Sequence, residues 1–142
     1  MPRVLIIEAR FYDHIADGLL AGAVAALEAG GAAWERLTVP GIYELPAALA
    51  MVVASGQAYD GFVTLGCAIR GESDHYHHIC AACITGLSEV AVAHRLALGN
   101  GVLTVHNEAQ ALHRSDPKRK DIGGQAGRAC LRMMDLRRQT AG

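Results

Sequence analysis

The stretch FVTLGCAIRGESDHYHHIC, residues 62–80, decides how the chain is read. Residues 62–69 form a continuous apolar run. A run this short and this apolar suits a strand buried on both faces. Gly66 and Gly71 are expected to give the backbone freedom at and beyond its end. Arg70, Glu72, Ser73, Asp74 and His75 follow, and after them a helical pattern. Buried strand, glycine-containing polar turn, helix start: in an open α/β sheet such a junction is where ligands bind. The free N–H groups of a helix start suit an anion, most naturally a phosphate. Arg70 and Ser73 would assist, and His75 stands beside them as a side-chain type suited to proton transfer. The plain alternative is an ordinary strand–helix turn with charged residues facing water.

Working outward, alternation of strand and helix repeats four times. Residues 3–9 (RVLIIEA) read as a first buried strand, followed by a turn at 10–13 with Asp13 as helix N-cap. In the helix from His14 to Gly30, Ile15, Leu19, Leu20, Ala23 and Leu27 share one face. Residues 34–39 (WERLTV) read as a second strand, and a helix from about Glu44 to Ala54 carries Pro46 in its first turn. Beyond the opening stretch, a long helix is expected over 75–98, ended by Gly99. Residues 101–105 (GVLTV) make a fourth strand. Asn107 caps a short helix to about His113, residues 115–121 (SDPKRKD) form a polar loop, and a last helix runs from Gly124 to about Arg138. The pattern predicts a parallel sheet with helices on both faces and right-handed crossovers. No boundary, repeat or low-complexity segment divides residues 1–142, so a single domain is expected.

Composition narrows the function. A 51% hydrophobic, 19% charged chain of this length is globular. A net charge of −1, with two lysines against eleven arginines, argues against a nucleic-acid or membrane surface. No apolar run is long enough to span a bilayer, and the start of the chain does not read as a signal peptide. Cys67, Cys80, Cys83 and Cys130 fall in apolar surroundings and read as reduced thiols of a cytoplasmic protein.

The strand ends carry the chemistry. Phe11 follows the first strand and offers a flat face for a planar ring. Gly41, Tyr43 and Glu44 follow the second, Arg70 to His75 the third, and Thr104 to Asn107 end the fourth. Glu44 is an acceptor suited to hydroxyl groups, and Arg114 a side chain suited to phosphate. His75, His77, His78, Cys80 and Cys83 also raise the possibility of a metal site, Cys80 and Cys83 forming a CxxC pair. Helical phase opposes it. Cys80 and Cys83 fall on the apolar stripe of Ile79, Cys83, Ile84, Leu87, Val90 and Ala91, while His75 points away.

Four motifs in order, ARFYD (9–13), VPGIYELP (39–46), LGCAIRGESDHY (65–76) and GVLTVHNEAQALHR (101–114), with a weaker fifth, GGQAGRACLRM (123–133), make the chain resemble the lumazine synthase family. The resemblance implies a flavodoxin-like three-layer α/β/α sandwich with a four-stranded parallel sheet. It also implies the penultimate step of riboflavin biosynthesis: condensation of 5-amino-6-(D-ribitylamino)uracil with 3,4-dihydroxy-2-butanone 4-phosphate to 6,7-dimethyl-8-ribityllumazine, with no metal or organic cofactor. By resemblance Phe11 stacks on the pyrimidine, and Ile42, Tyr43 and Glu44 hold the ring and the ribityl chain. Ala68 and Ile69 give backbone contacts, and Gly71, Glu72 and Ser73 bind the phosphate. His75 transfers protons, and Arg114 of a neighbouring subunit grips the phosphate.

The chain departs from the family pattern at several points. Asn100 stands where an aromatic of the ring pocket is usual, Ile122 where a lysine is common with Lys120 out of register, Tyr43 for phenylalanine and Ile42 for alanine. Two other readings share the resemblance: an archaeal-type riboflavin synthase, for which a phosphate-binding turn has no use, and a non-catalytic flavin- or lumazine-binding relative, which would need neither His75 nor Arg114. The family assembles as homopentamers with sites at subunit interfaces, in some members packed into icosahedral shells. The start of the chain directly at its first strand and the charged 115–121 loop favour a free pentamer.

Overall fold

The computed structural model describes residues 1–71 and 74–141. Four strands, β1 (Arg3–Ala9), β2 (Ala33–Val39), β3 (Gly61–Ile69) and β4 (Leu98–Val105), pair in parallel in the order β2-β1-β3-β4. The helices are α1 (Asp13–Ala29), α2 (Leu45–Ala54, entered through a 3₁₀ turn at Ile42–Glu44), α3 (His75–His94), α4 (Glu108–Ser115) and α5 (Ile122–Thr140).

Alternation along the strands sorts two cores. Val4 and Ile6 of β1, Val63 and Leu65 of β3, and Leu103 and Val105 of β4 pack with α1, α4 and α5. Leu5, Ile7, Ala9 and Phe62 pack with α2 and α3. The result is a three-layer α/β fold. The first connection runs from β1 outward to β2 and uses α1 on one face. The next two run the other way, to β3 and β4, and use α2 and α3 on the opposite face, as crossovers of one hand require. The direction reverses between β1 and β3, so the crevice at their carboxyl ends is the topological switch point.

Four boundaries differ from expectation. The helix α3 ends at His94, with Arg95 in the left-handed region (φ 52), and β4 begins at Leu98. Gly99 is therefore no helix stop. It lies inside the strand, where a Cβ would come 1.9 Å from the Ala126 carbonyl oxygen, so its bareness admits α5 to the sheet. Asp13 is already helical and Tyr12 is the N-cap, without a side-chain cap bond. The last helix starts at Ile122, capped by Asp121, whose Oδ1 accepts from the Gly124 N–H at 3.0 Å. Gly66 has no left-handed backbone either, and its role is space: a Cβ there would meet Ile42 at 2.7 Å and Ala9 at 3.2 Å. That close approach seats the 3₁₀ turn against β1 and β3. The Asn107 cap is as expected, its Oδ1 accepting from the Gln110 N–H at 2.9 Å.

Candidate active site

Three of the strand-end segments meet around the switch point. Phe11 leaves β1 in a three-residue turn and is 73% exposed, its ring edge-on to Tyr12 at 4.9 Å. The 3₁₀ turn after β2 buries Ile42 in the core and leaves Tyr43 63% exposed, with Glu44 half-buried between them and α2. One anchored residue thus presents an aromatic and a carboxylate to the edge. Ala68 and Ile69 finish β3, half-buried and in register with Thr104 and Val105, and the Arg70 N–H still donates to the Val105 carbonyl at 2.9 Å. Gly71 follows, exposed, and among the described residues no atom lies within 4 Å of where a Cβ would stand. Glu72 and Ser73 of the expected phosphate turn lie outside the described residues. His75 is the first residue of α3 and is exposed, and the Asp74 side chain caps none of that helix's N–H groups.

Two expected site residues stand elsewhere. Asn100 lies on β4 opposite Thr64, five residues before Val105, hence roughly 16 Å from the carboxyl edge at about 3.3 Å per residue. Its Oδ1 accepts from the Thr64 hydroxyl at 3.1 Å and the Val102 N–H at 3.2 Å. Arg114, half-buried, is in the last turn of α4, which packs on α1, whereas His75 opens α3 on the other face of the sheet. Asn100 therefore stands well back from the carboxyl edge, while Arg114 lies on the helix layer opposite α3. Ile122 is partly buried and packs against the α1-side core.

The histidine–cysteine cluster of α3 does not converge. Cys83 is fully buried, Cys80 half-buried, and His77 and His78 exposed. Among the described residues no group of three or more His, Cys, Asp or Glu is placed to hold a metal ion. All four thiols are free. Burial pushes those of Cys67, Cys83 and Cys130 up to about 12, which leaves them protonated and inert. Nearer the site, burial and then the neighbouring Cys80 raise the pKa of the half-buried Tyr76 hydroxyl.

The largest feature absent from the sequence reading is at the foot of Phe11. Glu8 is completely buried on β1, and its Oε1 takes the Arg10 Nη1 at 2.5 Å. Arg10 continues to Asp13 and Asp17 of α1. Burial opposes the charge on Arg10, but the bonds to Glu8 and Asp17 outweigh it and raise the guanidinium pKa. The signal was available: a lone acid in the otherwise apolar run VLIIEA, two residues before an arginine.

Fold and strand-end turns together define an α/β protein whose parallel sheet gathers aromatic and polar turns at its switch point. The family model of 6,7-dimethyl-8-ribityllumazine synthase matches residues 1–138. Proteins of that name are similar across nearly their whole lengths. The one from Paramagnetospirillum magneticum is 65% identical over 98% of this chain and 97% of its own. The one from Erythrobacter litoralis is 49% identical over 96% of each, and the one from Bartonella tribocorum 46% identical over 97% and 91%. The chain belongs to the 6,7-dimethyl-8-ribityllumazine synthase family.

Proposed function

We propose that this chain, as a single domain over residues 1–142, condenses 5-amino-6-(D-ribitylamino)uracil with 3,4-dihydroxy-2-butanone 4-phosphate. The products are 6,7-dimethyl-8-ribityllumazine and phosphate. The observation that carries this reading is the family match over residues 1–138. Phe11 stacks on the pyrimidine ring. Ile42, Tyr43 and Glu44 hold the ring and the ribityl hydroxyls, and Ala68 and Ile69 offer strand-end backbone groups. Gly71, Glu72, Ser73 and the start of α3 take the phosphate. The amine and ketone are held together for Schiff base formation, then phosphate leaves and the second ring closes. Most of the acceleration is positioning of two reactants, and His75 moves protons among the amine, the carbonyl and the leaving phosphate.

Arg114 completes the phosphate site from a neighbouring subunit. The placement of α4 against α1, away from α3, supports that reading. The assembly is a homopentamer acting in the cytoplasm, where four free thiols are at home. An apolar groove of about 540 Å³ supports the association; Ile84 and Val92 of α3, Leu98 of β4, and Met133 and Leu136 of α5 line it. A strip of this kind calls for a partner surface, and a repeated head-to-tail contact closes a ring. The charged turn at 115–121, where the Lys118 N–H bonds Asp116 Oδ1 at 2.8 Å, disfavours packing of pentamers into a shell. Among the described residues no helix is long and apolar enough to cross a membrane.

Product absorbance on mixing the two substrates tests the activity. Incubation with lumazine alone tests for dismutation to riboflavin, and ring binding without turnover would leave only a carrier. Light scattering after size exclusion tests the assembly: a mass near five chains is expected, and a stable active monomer or a megadalton particle would overturn it.

A further inference from the structure

We propose that Glu8, Arg10 and Asp17 are positioning residues that set the ring of Phe11 for the pyrimidine. The inference rests on the stacking role given to Phe11 above. The Arg10 guanidinium reaches both ends of the turn that carries that ring. On the strand side Nη1 donates to Glu8 Oε1 at 2.5 Å. On the helix side Nε donates to Asp13 Oδ1 at 3.2 Å, and Nη2 donates to Asp17 Oδ1 and, at 3.4 Å, to the Asp13 carbonyl. Phe11 and Tyr12 are the residues enclosed between Arg10 and the helix.

Two facts say that this clamp does more than hold the sheet together. Glu8 is completely buried on a face it shares with Val4 and Ile6, where an apolar residue would fit without desolvating a carboxylate. Its second oxygen, Oε2, is buried without a hydrogen bond, with Arg36 Nε 3.3 Å away but not aligned to donate. An arrangement this costly gives geometry rather than net stability. The second fact is what the turn lacks. Phe11 is 73% exposed, so core packing does not fix its ring. Tyr12, the N-cap of α1, contributes no side-chain cap bond. The orientation of the ring then follows from the backbone of a three-residue turn, and the planar fork of Arg10 spans that turn in several bonds at once. A stacking wall needs this kind of support to act on one substrate and not the other.

The test is a double-mutant cycle read in Michaelis constants. Glu8→Gln should raise the KM for the pyrimidine about five- to twentyfold, since small misplacements of a binding group are amplified in rate and affinity. The KM for the butanone phosphate should stay within about twofold, as the phosphate turn is built from other elements. Arg10→Lys keeps the charge, loses the fork, and should behave like Glu8→Gln. In a Phe11→Ala background, Glu8→Gln should add nothing, because its effect passes through the missing ring. Should Glu8→Gln not fold, Asp17→Asn, whose side chain is 71% exposed, carries the same comparison. Equal rises in both KM values, or full additivity with Phe11→Ala, would overturn the proposal while leaving the stacking role standing. An unchanged pyrimidine KM in Phe11→Ala alone would remove the stacking role, and the positioning role with it.

Discussion

Two of the long helices, α1 and α3, start at the same edge of the sheet and are covered very differently. In α1 the side chains of Ile15, Leu19, Ala23 and Leu27 are all fully buried, enclosed by the sheet and α5. In α3, a helix of 20 residues, Cys83 and Leu87 are the buried ones, Ile84 is 45% exposed and Val92 76%. Helices of globular proteins draw their stability mainly from packing of an apolar face. The face of α1 is satisfied within the chain; that of α3 is satisfied only in part. The same helix begins with the proton-transfer candidate His75, and the arginine suited to phosphate is placed on the α1 side. The strip left open on α3 is where the proposed contact with a second copy of the chain would lie.

Breaking the α3 side should therefore have the largest effect. Ile84→Lys with Val92→Lys places charge on the open strip, where the lone chain tolerates it, and lysine near a helix C-terminus is favoured by the dipole. The expected result is a folded protein by circular dichroism that sediments as a monomer and has lost turnover. A fully active monomer would dissolve the link between the strip and the site. On the α1 side the contrast is stability. Leu19→Ala should cost about 2–5 kcal/mol of folding free energy in denaturant titration, as expected for a buried leucine, with assembly of the remaining folded protein unchanged.

At the head of α3, His75→Ala should slow turnover about ten- to a thousandfold with substrate binding largely kept, the range of one acid–base group in a condensation that also proceeds unaided. An unchanged maximal rate would take His75 out of the mechanism. Arg114→Ala should raise the KM for the butanone phosphate about tenfold or more and that for the pyrimidine far less, since a charged hydrogen bond to phosphate is lost. Equal effects on both would count against the assignment.

The smallest effect is chemical. Burial holds the Cys67, Cys83 and Cys130 thiols at about 12, so in native protein they should alkylate much more slowly than in unfolded chain. The same shift sets a pH dependence. The folded state keeps protons that the unfolded chain releases from a value of 9.0, so this stabilisation is complete below pH 9 and fades between about 9 and 12. A melting temperature that rose over that range would contradict the burial of these thiols.

Strands β1 and β3 were legible because they are short apolar runs, and burial on two faces leaves that trace, whereas the edge strand β2 is mostly exposed and carries no such run. The end of α3 was not legible. LALG continues the apolar pattern of the helix, and Gly99 looks like a stop. The chain turns at Arg95 instead, a left-handed residue that nothing local announces, while Gly99 answers to α5, which arrives from the far end of the sequence. Asp121 is similar: a left-handed cap inside what reads as a charged loop. Among the candidate site residues, most of those next to strand ends could be listed from topology, while Ile42, Ala68 and Ile69 and the individual roles came from the resemblance. Arg114 and Asn100 were placed by resemblance, and no property of their neighbours says on which side of a subunit they stand. The Glu8–Arg10 clamp was missed because the strand was read by its hydrophobicity, which one acid barely lowers.

The most direct measurement is the formation of 6,7-dimethyl-8-ribityllumazine, followed by absorbance, when the purified protein is mixed with both substrates. Product is expected well above the uncatalysed background, in a peak whose mass is near five chains, with no riboflavin when lumazine is the only substrate. Product no faster than background from a correctly assembled protein would contradict the proposed activity.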